Sequence, residues 1–210
     1  MQHFTLRKYT DNSILYSGQY NSFNECLEEA IKKTIELPHI DLSNKNLSNL
    51  NADGAIMPYA DFSGSNLTGA NLSESFLYNA NFTNASLYNC CMSYADIRKC
   101  DFRGAGFGAT LINGANIAES QFSTLSCFDL DFISCINTKN CRFIEPDYTP
   151  RDMSYPPTVI KGLLSTPIIV IGNHIKIGEK TLKYETVPIL LQTLSTHAYQ
   201  QIDRNNHEVA

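Results

Sequence analysis

Residues 60–89 read ADFSGSNLTGANLSESFLYNANFTNASLYN. A large apolar residue recurs at every fifth position: Phe62, Leu67, Leu72, Leu77, Phe82 and Leu87. Two places before each stands a small one: Ala60, Ser65, Ala70, Ser75, Ala80 and Ala85. The register extends in both directions. From Leu42 to Phe132 the central position is Leu, Ile, Met or Phe throughout, except at Ala52 and Cys127. From Ala55 to Ser120 the small position holds only Ala, Ser, Cys or Thr. The residue between them is often Asp or Asn, as at Asp61, Asn66, Asn71, Asn81, Asp96 and Asp101. A period of five fits neither the 3.6 of a helix nor the 2 of a strand. It fits a chain that turns a corner every five residues, with the small and central residues inward and the other three outward. Four corners complete a coil of twenty residues, and successive coils stack as in other β-solenoids.

With ADIRKCDFRGAGFGA at 95–109, these segments resemble the A(D/N)LXX signature of the pentapeptide repeat family, across roughly residues 40–143. The resemblance implies an all-β solenoid, a right-handed quadrilateral β-helix, with small α+β caps at both ends. It specifies a fold and leaves function open. Residues twenty apart should then stack. Phe62, Phe82, Phe102 and Phe122 form one aromatic column, and Met57, Leu77, Ile97 and Ile117 another. Phe→Ala within the column is expected to cost most at Phe82 and Phe102, and less at Phe122, beside a loosening coil where Leu125 and Leu130 take small positions.

The flanks read as caps, which a solenoid needs because its terminal coils expose unpaired edges. FTLRKYTDNSILYSGQY at 4–20 is two strand-like runs around a polar turn. Ser22-Phe23-Asn24-Glu25 is a capping box that opens a helix ended by Pro38. The expected organisation is a hairpin–helix cap over 1–39, the repeats over 40–143 and a linker over 144–158. A C-terminal α+β module follows over 159–210, with strands at TVIKGLL, PIIVIG and HIKIGE and a helix from about Thr186 to Ile202. The hairpin–helix–repeat order is similar to phage and prophage members of the family. The aliphatic C-terminal strands are expected to form a two-fold homodimer.

Composition narrows the function classes. The 210 residues carry 16 basic and 21 acidic side chains, a net charge of −5, which argues against direct nucleic-acid binding. The longest aliphatic run, Ile168 to Ile171, is too short to cross a membrane. Seven cysteines behind an N-terminus without an apolar leader point to reduced thiols and a cytoplasmic protein, in a bacterial cell or a phage-infected host. Cys90, Cys100 and Cys135 fall on the small inward position, where Cys substitutes for Ala in packing. No His lies between residues 40 and 173, and no CxxC spacing, P-loop, GxGxxG or nucleophile elbow appears. No catalytic residue, cofactor or metal is expected, and the chain is read as a non-enzyme.

What remains is recognition by the outer surface. Ile56, Tyr59, Phe76 and Tyr78 are expected outward on one face, with Tyr88 and Tyr94 just round the corner. Exposed aromatic clusters mark contact sites, so the first reading is a scaffold that binds or inhibits a bacterial protein, with phage counter-defence as one form. The alternative comes from Asp41, Asp61 and Asp101, which share one column. Such a column is similar to the DNA-mimicking surface of pentapeptide proteins that protect or inhibit DNA gyrase. Across 41–143, however, nine acids face six bases. DNA places one charge per about 1.7 Å of axis, so a rod of roughly 25 Å would need on the order of fifteen.

Overall fold

The computed structural model describes residues 1–123, 127, 129–144, 150–152, 158–160, 168–171, 174–177 and 180–183. The chain divides into two units, Met1–Ser154 and Tyr155–Ala210. In the first, the repeats form four columns of parallel bridges. Asp41, Asp61, Asn81 and Asp101 pair in succession, as do Asn46, Asn66, Ser86 and Gly106. Asn51, Asn71, Cys91 and Leu111 make the third column, and Ile56, Phe76, Asp96 and Asn116 the fourth. Each step is twenty residues. Each side of the coil is too short for a long strand. Within residues 41–123, two-residue strands occur only at β3 (Asp101–Phe102) and β4 (Gln121–Phe122), on the first column.

The core follows the predicted register. The central residues from Leu42 to Phe122 are at most 3% exposed. Phe62 stacks on Phe82 at 4.7 Å, Phe82 on Phe102 at 4.9 Å and Phe102 on Phe122 at 5.1 Å, with planes within 10° of parallel. Polar residues at the small position are not merely tolerated. Ser65 Oγ donates to Phe62 O at 2.7 Å, Thr110 Oγ1 to Leu87 O at 2.6 Å and Ser120 Oγ to Ile97 O at 2.7 Å. Cys100 Sγ reaches Leu77 O at 3.1 Å. Cysteine here packs like alanine and also pairs with a carbonyl that faces the lumen.

Every corner uses the left-handed region. The residue two after each centre has positive φ, from Asn44 at 54° through Gly64, Glu74, Tyr94 and Lys99 to Glu119 at 65°. Asn and Gly recur there because they adopt this conformation at least cost. A Cβ on Gly64 would collide with the Asn44 side chain one coil earlier.

The N-terminal cap is a hairpin and a helix. β1 (Gln2–Arg7) pairs antiparallel with β2 (Ile14–Tyr20), and α1 spans Phe23–Lys32. Ser22 Oγ accepts from Glu25 N–H at 3.1 Å. The Glu25 carboxylate reaches back to Asn21 N–H at 2.7 Å, one residue before the position of a standard capping box. The cap closes the first coil through main-chain bonds and one side-chain carboxylate. Lys8 bridges Ile40 antiparallel, Asp41 N–H donates to Arg7 O at 2.8 Å, and Asn51 N–H donates to Glu28 Oε1 at 2.9 Å.

At the far end Cys141 and Phe143 already resume the sequence pattern one residue out of register, and the structure follows them. Past residue 123 the register slips by one: Asn116 bridges Asn137, and β4 pairs with β5 (Arg142–Ile144) as Gln121 with Arg142. Phe143 thereby continues the Phe column, and Phe132 sets its ring edge-on to Phe122 at 5.3 Å. Phe122 is therefore as enclosed as the rungs before it, which corrects the expectation of a cheaper truncation there. The segment read as a linker contains β6 (Pro150–Asp152), antiparallel to β5. Its opening Pro150 masked it, although proline is tolerated at the first residue of an edge strand. Leu125 lies outside the described residues.

In the second unit, β7 (Thr158–Ile160), β8 (Ile168–Ile171), β9 (His174–Ile177) and β10 (Lys180–Lys183) form an antiparallel sheet in the order β10-β9-β8-β7. Ile168 and Ile175 are buried. The Lys-Thr-Leu-Lys of β10 carries one aliphatic residue and left no apolar signal. The helix expected near 186–202 lies outside the described residues. Among the described residues no helix is long and apolar enough to cross a membrane.

Candidate protein-docking face

The fourth column places Ile56, Phe76 and Asp96 one above another, with Pro58, Tyr78 and Arg98 beside them. Tyr59 and Lys99 occupy the corner with positive φ. Residues 37–39 continue this side one coil earlier: Leu37 N–H donates to Ile56 O at 2.8 Å and His39 N–H to Pro58 O at 2.9 Å. The outward side chains form a connected strip. Tyr9 Oη lies 3.4 Å from His39 Nδ1, and the His39 ring stacks on Tyr59 at 4.8 Å. Tyr59 meets Tyr78 edge-on at 5.8 Å, and Phe76 lies parallel to Tyr78 at 6.3 Å.

Two cations close the strip. Arg98 sits 5.5 Å and Lys99 Nζ 5.3 Å from the Tyr78 ring centre. Such contacts contribute about 0.5–1 kcal/mol at exposed sites. Asp96 holds Arg98 through an ion pair at 2.6 Å, which raises the guanidinium pKa. Hydrogen bonding to Tyr78, then the Glu119 carboxylate at 3.8 Å, raises that of Lys99. The N-terminal cap covers one face of Tyr59 through His39 yet leaves the strip open: Ile56 and Tyr59 are 38% exposed and Phe76 is 37% exposed. Tyr78 is half-buried among its neighbours.

The other two candidates separate. Tyr94 stands at the corner before the fourth column, 70% exposed, over Gly114. Tyr88 belongs to the second column, where it lies flat over Gly106 and Gly108. It is two sides of the coil away from Phe76 and Tyr78, not round the corner from them. The sequence reading missed His39, Arg98 and Lys99 as members of the strip. The signal was their spacing: His39, Tyr59 and Lys99 share one register position, as do Tyr78 and Arg98.

The acidic column is in register, and at least one oxygen of each carboxylate is occupied. Asp41 Oδ1 accepts from Ser43 N–H and Oγ–H, at 3.1 and 2.7 Å. Asp61 Oδ1 accepts from Ser63 N–H at 2.9 Å and Asn81 Nδ2 at 3.0 Å. Asp101 is paired with Arg103 through several hydrogen bonds. These carboxylates hold the turn two residues on and neighbouring coils, work that Asn performs at the same position elsewhere. Burial pushes the Cys90 and Cys100 thiols up, and Cys141 to about 12. Among the described residues no His, Cys, Asp or Glu group is arranged to hold a metal ion.

Eight copies of the model for pentapeptide repeats match residues 39–69 and 65–104. These residues belong to the pentapeptide repeat family. No curated protein matches the chain. Among solved structures, it is similar to Rfr23 from the cyanobacterium Cyanothece 51142, at 26% identity over 38% of this chain and 54% of that one, TM-score 0.38. It is also similar to HetL, involved in heterocyst differentiation regulation in Nostoc sp. strain PCC 7120, at 19% identity over 56% and 62%, TM-score 0.37. QnrB1, a plasmid-mediated fluoroquinolone resistance protein, is 17% identical over 49% and 70%, TM-score 0.26. The chain thus spans between half and two thirds of Rfr23 and HetL.

Proposed function

We propose that the chain is a non-enzymatic scaffold whose repeats, in the family's right-handed four-sided form, present the fourth-column strip to another protein. The observation that carries this reading is the exposed, connected run Ile56–Tyr59–Phe76–Tyr78 with Arg98 and Lys99 at its end. Clustered aromatics beside arginine are the composition of binding hot spots. The target is a bacterial protein, and phage counter-defence is one setting for it. The test is affinity capture from a bacterial lysate with wild type and an Ile56→Glu/Phe76→Glu variant. A partner held by wild type and by Asp61→Asn, but lost with the double variant at unchanged melting temperature, is expected. A partner retained by the double variant contradicts the site.

The second reading, a DNA-mimicking gyrase inhibitor or protector, draws on the in-register Asp41, Asp61 and Asp101. It is the weaker one, because one oxygen of Asp41 and of Asp61 already serves the turn and Asp101 is paired with Arg103. A supercoiling assay decides it. Inhibition or protection at micromolar protein, abolished by Asp→Asn at 41, 61 and 101, would replace the first reading. The sheet β7–β10 is proposed as a homodimerisation element. Light scattering should then give twice the 23.5 kDa chain mass, and a constant 23.5 kDa rejects it.

A further inference from the structure

The outer surface of the N-terminal cap carries a cluster that neither docking reading uses. Tyr16, Gly18 and Tyr20 alternate on β2 and so share one face of the strand. Tyr20 folds back along the strand across Gly18, where a Cβ would meet its ring at 2.6 Å. This brings Tyr20 Oη to 2.6 Å from Tyr16 Oη. From the end of α1, Lys33 Nζ donates to the same Tyr16 oxygen at 2.8 Å and lies 5.3 Å from its ring centre. Glu29, one turn back, holds Lys33 Nζ at 3.2 Å.

One phenol oxygen therefore faces an ammonium donor and a second phenol. When Tyr16 loses its proton, both neighbours can donate to the resulting oxyanion, and Tyr20 keeps its own proton. The hydrogen bond from Lys33, then that from Tyr20, lowers the Tyr16 pKa against burial and the Glu29 charge. The same hydrogen bond to Tyr16 raises Tyr20 to about 12. Lys33 is raised, first by Tyr16 and then by Glu29. An oxygen whose ionised form is stabilised, on a half-exposed side chain, is an activated nucleophile.

We propose that Tyr16 is a covalent modification site, a phenol poised to accept an acyl group from an activated acyl donor. The Tyr16 proton passes to water. The oxygen then attacks the acyl carbon, the new C–O bond forms, and the bond to the leaving group breaks. The leaving group departs with the electron pair and takes up a proton. Acylation converts the phenol oxygen that accepts from Lys33 into an ester oxygen and so weakens this link between β2 and the end of α1.

The probe is N-acetylimidazole at neutral pH on the full chain, with each tyrosine followed by peptide mass mapping. Hydroxylamine, which cleaves phenolic esters and spares acetylated lysine, separates Tyr16 from Lys33. Tyr16 is expected to be acetylated several-fold faster than Tyr94, which is 70% exposed and serves as internal reference. Lys33→Met and Tyr20→Phe should each bring the Tyr16 rate down toward that of Tyr94, with the Tyr94 rate unchanged. Tyr16 reacting no faster than Tyr94 in wild type overturns the proposal, as does a Tyr16 rate that neither variant alters.

Discussion

The corner residue is where the smallest change has a readable consequence. Glu74 sits at a positive φ of 55° that a side chain other than Asn or Gly adopts at a cost of roughly 1–2 kcal/mol. Glycine removes that cost and returns part of it as unfolded-chain entropy. Glu74→Gly is therefore expected to stabilise by about 0.5–1 kcal/mol. Gly64→Ala should destabilise by at least roughly 1 kcal/mol, through its φ of 64° and the collision with Asn44. Urea melts of the two variants should move in opposite directions. This corner position was hard to read in the sequence, because Tyr59, Glu74, Tyr94 and Lys99 interrupt its Asn and Gly. The central and small positions were plain, since burial enforces one residue class at each. The hydrogen bonds of Ser65, Thr110, Ser120 and Cys100 were not legible, because they depend on carbonyls that only the folded coil brings within reach.

At the scale of elements, both ends of the first column finish against an antiparallel segment, Lys8 opposite Ile40 and β6 opposite β5. An antiparallel closure stops the parallel stacking from continuing into a second molecule. Deleting residues 1–20 should leave the first edge open and give concentration-dependent aggregation, read by light scattering. A monodisperse deletion variant would show that the edge needs no such cover. Within the cap, Ser22→Ala should cost about 1 kcal/mol, because the N–H of Glu25 loses its acceptor. The N-terminal elements were legible because capping and turn chemistry are local. The register slip was legible too, in the offset of Cys141 and Phe143, whereas β6 was not, since it answers to a pairing partner and opens on a proline.

Across the whole molecule, the fourth column is the side where apolar surface, aromatic rings and paired cations coincide. Ile56 and Phe76 contribute exposed area without touching the lumen, so Ile56→Glu/Phe76→Glu should change melting temperature little while abolishing capture of a partner. The candidate site was half legible. Ile56, Tyr59, Phe76 and Tyr78 follow from inward and outward alternation alone, while Tyr88 was misplaced although it stands ten residues past Tyr78, which is two sides of a twenty-residue coil. Every one of these assignments rests on residues twenty apart being stacked. The rung Phe102 tests that directly, with Phe82 at 4.9 Å on one side and Phe122 at 5.1 Å on the other. Phe102→Ala should cost roughly 3–5 kcal/mol and lower the melting temperature by on the order of 10 °C. Phe122→Ala should cost as much, because Phe132 and Phe143 enclose it. A Phe102→Ala protein that melts within about a degree of wild type would contradict the stacking and every outward assignment built on it.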